Sequence, residues 1–150
     1  MKKNKIVKDF GDEWEKFDQI ELNKVELTKI FEDYFYLFPL SKLKVNANVI
    51  DIGCGSGRWA KFVVKKFNNL SVLDASKKSI KIAKQTLKKF SNVKYYLSDV
   101  TEMPIENNSY DFAYSLGVLH HVKNIDYALK EINRILKPGS PFLIYLYYSF

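Results

Sequence analysis

The stretch Val49-Ile50-Asp51-Ile52-Gly53-Cys54-Gly55-Ser56-Gly57-Arg58 constrains this chain more than any other. An apolar run of strand length carries an acidic residue near its end, and three alternate glycines then lead into a helical pattern. Glycine at such a corner lets the backbone turn tightly and approach a ligand with no Cβ in the way. The helix start beyond it offers unpaired N–H groups to an anion. Dinucleotide and nucleoside binders both use a loop of this kind, and spacing separates them. The dinucleotide fingerprint G-x-G-x-x-G needs its third glycine at position 58, where this chain has Arg58; the spacing here is G-x-G-x-G.

From about residue 45 onward, apolar runs of strand length alternate with helical patterns. Strands are predicted at Asn48 to Ile52, Leu70 to Leu73, Val93 to Leu97, Asp111 to Leu116 and Phe142 to Tyr148. Helices are predicted from Arg58 to Asn68, from Lys77 to Lys89, and after the capping residue Asn124, where Ile125, Ala128, Leu129, Ile132, Ile135 and Leu136 follow helical spacing. Lys137-Pro138-Gly139 stops that last helix. Buried strands that read as continuous apolar runs between helices imply an α/β, doubly wound, mainly parallel sheet with helices on both faces. The domain is expected over 45–150, preceded by a helical extension over 1–44. In that extension Asn23 and Glu26 have capping-box spacing, and Leu27, Ile30, Phe31, Tyr34, Phe35 and Phe38 form one stripe ended by Pro39, which suits a helix packed on the sheet.

Acidic residues recur at the strand ends. Asp74 closes the second strand, where a carboxylate can accept from both hydroxyls of a ribose; capping the next helix is the alternative, although Ser76 suits that task. Asp99 follows the third, where it can accept from an exocyclic amine while the Val100 N–H meets a ring nitrogen. With Asp51, three successive strands carry a carboxylate at the end where such sheets bind ligands.

On these residues the chain resembles the class I S-adenosylmethionine-dependent methyltransferases, closest to the broad "type 11" group. The matching stretches are VIDIGCGSGRWA, SVLDASKKSIKIAKQTL, YLSDVTEMPIENNSYDFAYSLGVLHHVKN and ALKEINRILKPGSPFLI, in family order. The resemblance implies a Rossmann-like fold and S-adenosylmethionine as cofactor. It implies that Asp51, Gly53, Cys54, Gly55 and Gly57 contact the methionine part, Asp74 and Ala75 the ribose, and Asp99 and Val100 the adenine. Ser115, Leu116 and His120 would lie after the fourth strand, beside the sulfonium. Phe10-Gly11-Asp12-Glu13-Trp14 is similar to a preamble found before this domain in some members.

Methyl transfer is an in-line displacement that chiefly needs positioning and desolvation. A base is required only where the acceptor must lose a proton, and His120 is the candidate, with His121 second; both also suit a structural role between Leu119 and Val122. Cys54 is a poorer nucleophile, since no histidine is near it in sequence. Trp14, Phe10 or Tyr114 can offer a ring face to a sulfonium. The expected acceptor is a small molecule, because the place where amine-modifying nucleic-acid methylases carry Asx-Pro-Pro-aromatic reads Ser115-Leu116-Gly117-Val118.

Composition bears on the remaining alternatives. The net charge of +7 invites a nucleic-acid reading. Yet Lys77, Lys78, Lys81, Lys84, Lys88 and Lys89 sit opposite an apolar face of Ile80, Ala83 and Leu87, as a solvated helix surface would. One cysteine excludes an internal disulfide and any zinc site built on two, so no metal is expected. The N-terminus has no signal-like apolar stretch, and the longest apolar run, Pro141 to Tyr148, is too short to span a bilayer, so a cytoplasmic chain is expected. The related fold continues past the fifth strand, so a missing C-terminal segment, or a partner chain in a dimer, is expected to cover that edge. The competing functions are a cofactor-binding module that no longer catalyses, serving as a partner subunit, and a nicotinamide oxidoreductase.

Overall fold

The computed structural model describes residues 23–147; the Phe10 to Trp14 preamble lies outside them. Five parallel strands form one sheet: β1 (Asn48–Ile52), β2 (Asn69–Asp74), β3 (Val93–Leu97), β4 (Phe112–Leu116) and β5 (Phe142–Tyr145). Their spatial order is β3-β2-β1-β4-β5. The order reverses between β1 and β4, so the loops after these two strands diverge and leave a crevice at their carboxyl ends. The doubly wound α/β expectation holds.

Alternation along the strands divides the core. Val49, Leu70, Val72, Phe112 and Tyr114 face one side, under α1 (Lys24–Tyr34), α2 (Ala60–Val63) and α3 (Lys77–Thr86). Ile50, Ile52, Leu73 and Ala113 face the other, where α4 (Ile125–Ile135) packs Ala128, Ile132 and Ile135. The link from β3 to β4 contains no helix. It is held instead by α4: Glu131 accepts from the Met103 N–H at 2.9 Å, and Arg134 donates to the carbonyls of Ile105 and Met103 at 2.6 and 3.0 Å.

Caps fix the helices as their residue types suggest. Asn23 and Glu26 form a reciprocal capping box, Ser76 accepts from the Ser79 N–H, and Asn124 from the Tyr127 N–H. Phe31 and Phe35 of the first stripe are buried, and burial of each is worth about 1.5–3 kcal/mol. The helix ends at Tyr34, however, short of Pro39, because the chain must turn for Phe38 to stack on Phe112. The helix expected from Arg58 to Asn68 is also shorter. Only Ala60–Val63 is helical, since Val63, Val64 and Phe67 are all buried and the chain bends to seat them. Strand β5 stops at Tyr145 rather than Tyr148. Among the described residues no helix is long and apolar enough to cross a membrane.

Candidate functional site

The glycine loop is a set of closures onto its neighbours. Gly53 has φ +78°, and a Cβ there would lie 2.6 Å from both Val118 methyls, so glycine is required twice over. The N–H groups of Gly53 and Cys54 donate to the Leu73 carbonyl at 2.7 and 3.0 Å. Gly55 donates to Asp74 Oδ2 at 3.0 Å, and Gly57 to the Cys54 carbonyl at 2.9 Å. The anion seat expected from the sequence lay at the helix start beyond these four donors. The loop curls onto the end of β2, where Gly53, Cys54 and Gly55 spend their donors while Gly57 closes back on Cys54, and the helix beyond begins only at Ala60 and runs four residues. A pyrophosphate would find none of these four N–H groups available, a second argument against a dinucleotide beside Arg58.

The three carboxylates form a staircase. Asp51 is level with Val72 in the β1–β2 register, Asp74 lies two residues further out on β2, and Asp99 two residues beyond Leu97, the β3 partner of Asp74. At about 3.3 Å per residue and 4.8 Å between strands, the diagonal spans roughly 16 Å. It suits a long ligand lying across three strands. Asp51 is buried at the inner step, where desolvation raises its carboxyl to about 7, with the Asp74 charge adding to the rise. The Tyr114 hydroxyl stands near enough to oppose that shift, yet short of a well-formed hydrogen bond. Asp74 is also raised by desolvation, against the N–H donors of Ser76 and Gly55 and the Ser79 hydroxyl, which favour its charged form. Of the two roles weighed for it, the helix-side one is seen in part, since Asp74 Oδ1 accepts from the Ser76 N–H at the turn into α3 while Ser76 itself supplies the cap; its bond from Gly55, which ties down the glycine loop, was not foreseen. Asp99 Oδ1 accepts from the N–H and hydroxyl of Thr101 at 2.9 and 2.7 Å, so an adenine amine would share that carboxylate. Val100 is buried beside it, and Ala75 is exposed.

On the other side of the crevice, Ser115 and Leu116 are the last residues of β4 rather than residues after it. The buried Ser115 hydroxyl donates to the Ile52 carbonyl at 2.8 Å, binding β4 to β1. Tyr114 does not offer its face to a ligand; it is fully buried, edge-on to Phe35 at 5.3 Å. Cys54 is buried and its thiol is pushed well up by desolvation, which removes it as a nucleophile. His120 sits in a 3-10 turn, Leu119–His121, at the mouth, with its ring 3.8 Å from that of His121.

Among the described residues the buried side-chain polar atoms without a partner are Ser56 Oγ, Tyr114 Oη and His120 Nδ1. All three belong to β4 or to the loops that follow β1 and β4. Tyr114 Oη faces the buried Asp51 carboxyl in the core, whereas Ser56 and His120 stand on the loops after β1 and β4; buried polar groups are nearly always paired, so these two are the atoms that a ligand could complete. Sequence reasoning missed Ser56, which stands between two glycines that drew the attention. It also placed Tyr34 in the core stripe, whereas Tyr34 joins Trp59, Tyr145 and Tyr147 in an aromatic wall, with rings 5.3 Å and 4.8 Å from Trp59 and Tyr145. The one available signal was the surplus of tyrosine at the end of β5.

Comparison with known proteins bears on the family and the fold. A family model described as "Methyltransferase domain" matches residues 50–144. A sterol 4-C-methyltransferase from Caenorhabditis elegans is 31% identical over 107 residues, covering 69% of this chain and 32% of that protein. A ubiquinone/menaquinone biosynthesis C-methyltransferase from Rickettsia prowazekii is 29% identical over 145 residues, covering 86% of this chain and 55% of that one. The chain thus spans from a third to just over half of the curated relatives it matches. The crystal structure of a putative S-adenosylmethionine-dependent methyltransferase from Methanococcus maripaludis superposes with a TM-score of 0.75 at 25% identity, covering 89% of this chain and 62% of that one.

Proposed function

The chain belongs to the methyltransferase-domain family that matches it over residues 50–144, and from that premise we propose that it moves a methyl group from S-adenosylmethionine to a small-molecule acceptor. The observation that carries this reading is the carboxylate staircase of Asp51, Asp74 and Asp99 across the strand ends, flanked by the unpartnered buried atoms Ser56 Oγ and His120 Nδ1 on the loops after β1 and β4. The residues fit the cofactor. The glycine loop spends its donors internally, as suits a ligand without phosphates, and the carboxylates fall along a line that a nucleoside with an amino-acid arm can follow. When bound, the cofactor supplies an electrophilic methyl on a sulfonium.

In this reading Gly53 to Gly57 and Asp51 hold the methionine arm, and the unpaired Ser56 hydroxyl gains a partner there. Asp74 takes the ribose hydroxyls; with Gly55, Ser76 and Ser79 already donating to it, a ribose hydroxyl replaces the Ser79 hydroxyl most easily. Asp99 and the Val100 N–H read the adenine. Ser115 and Leu116 close the inner end through their backbone, since the Ser115 hydroxyl is committed to Ile52. His120 takes the acceptor's proton at Nδ1, which has no competing bond within the protein. The named relatives are a sterol 4-C-methyltransferase and a C-methyltransferase of ubiquinone/menaquinone biosynthesis, so ring-bearing hydroxyl compounds are the first acceptors to try.

The test is transfer of a labelled methyl group from S-adenosylmethionine to a panel of phenols, hydroquinones, sterols and amines. Labelled product from a ring-bearing hydroxyl compound supports the proposal. Cofactor binding with no turnover on any acceptor sinks it in favour of a non-catalytic module.

A further inference from the structure

Two residues past the end of β5, Tyr147 stands beside the loop that follows β4. Tyr147 lies beyond the strand end with 55% of its surface exposed, yet three separate elements hold its ring. It packs against Gly117, where a Cβ would stand 2.5 Å from Cε2, so only glycine leaves room for it. Its hydroxyl is 3.1 Å from that of Tyr34 on α1. Its ring meets His120 edge-on, with centroids 5.5 Å apart and planes at 80°. His120 Nδ1, in turn, is buried without a partner. Burial and the neighbouring Tyr147 hydroxyl push the Tyr34 phenol upward, so it remains a proton donor across the ordinary pH range.

We propose that Tyr147 is a latch on the acceptor mouth and that its phenol occupies the place of a phenolic or hydroquinone acceptor. Closed, the ring covers the His120 side of the mouth and bonds to Tyr34. Open, it uncovers Nδ1 and frees the Tyr34 hydroxyl to hold the oxygen of the incoming ring. The latch rests on the reading of His120 as the group that meets the acceptor. Tyr34 and Tyr147 are positioning residues that act on where the acceptor ring sits.

Two measurements separate the latch from that reading. The first needs no acceptor: deuterium exchange at the imidazole C2 position, read by mass spectrometry, resolves the chain's two histidines. His120 is expected to exchange several-fold more slowly than His121. Tyr147→Ala should raise the His120 rate several-fold and leave His121 unchanged. Tyr147→Phe and Tyr34→Phe keep their rings and lose only the phenol bond; at an unchanged unfolding temperature they should raise it about twofold. A His120 rate equal in all four proteins overturns the latch.

The second measurement is calorimetric titration of 1,4-naphthohydroquinone into the chain saturated with S-adenosylhomocysteine. Removing a competing closed state should tighten binding about tenfold in Tyr147→Ala, while Tyr34→Phe should weaken it. Faster His120 exchange without binding of this probe leaves the latch standing and overturns the phenolic acceptor.

Discussion

At the carboxyl ends of β1 and β2 the backbone donors of Gly53, Cys54, Gly55 and Gly57 are all engaged by the protein's own acceptors. At the ends of β4 and β5 the pattern inverts, with an unpaired imidazole nitrogen among partly exposed tyrosines. The first region is preorganised in its backbone, and Ser56 Oγ is the one unpaired side-chain atom that a ligand entering the described loop meets. The second is unfinished, and its polar atoms wait for what binds. A domain that takes one constant cofactor and one variable acceptor needs both kinds of construction, since preorganisation favours affinity and an adaptable mouth permits choice.

The largest expected effect tests the finished side. Gly53→Ala imposes a left-handed φ on a residue with a Cβ and drives that Cβ into Val118, so a loss of at least ~2 kcal/mol in unfolding free energy is expected. Adding Val118→Ala should recover the steric part and leave the backbone part. If Gly53→Ala alone were neutral, the loop would not be the tight closure described. Next, Asp74→Ala should weaken S-adenosylhomocysteine binding tenfold or more, equivalent to ~1.4 kcal/mol or greater, as seen by calorimetry. Unchanged affinity would remove the ribose role and leave Asp74 as a loop tie alone.

A third prediction concerns pH. The folded chain holds the Asp51 carboxyl at about 7 against an ordinary 3.8, so folding favours the protonated form. Its stabilising contribution is complete below pH 3.8 and is lost as pH rises through about 7. Asp51→Asn should therefore gain stability relative to the unaltered chain as pH rises across that window, in denaturant titrations at successive pH values. A difference that stays constant with pH would mean that Asp51 is ionised when folded. The smallest effect separates the two regions most finely. Ser56→Ala should leave unfolding within about 0.5 kcal/mol, because its hydroxyl has no partner to lose, yet weaken cofactor binding several-fold. Equal cofactor affinity would show that this hydroxyl meets nothing on binding.

The same divide explains what was legible in the sequence. Strands β1 and β3 fall at their expected bounds, because buried parallel strands read as continuous apolar runs and turn residues punctuate them. Asp51, Asp74 and the glycine spacing could be read because local chemistry fixes them to strand ends. The short α2 could not, since Val63, Val64 and Phe67 are buried whether or not the backbone between them is helical. Tyr114 was misplaced for a related reason: strand alternation turns it into the core under Phe35, and alternation alone does not tell which face the ligand uses. The mouth was least legible. Tyr34 and Tyr147 meet across 113 positions, and only the folded chain brings α1, Gly117 and His120 to one ring.

The most direct measurement is calorimetric titration of S-adenosylhomocysteine, and separately of NAD, into the folded chain. Binding of S-adenosylhomocysteine on the order of micromolar, with none by NAD, is the predicted result. NAD binding without S-adenosylhomocysteine binding would contradict it, and with it the assignment of the glycine loop and the three carboxylates to a methyl-donor nucleoside.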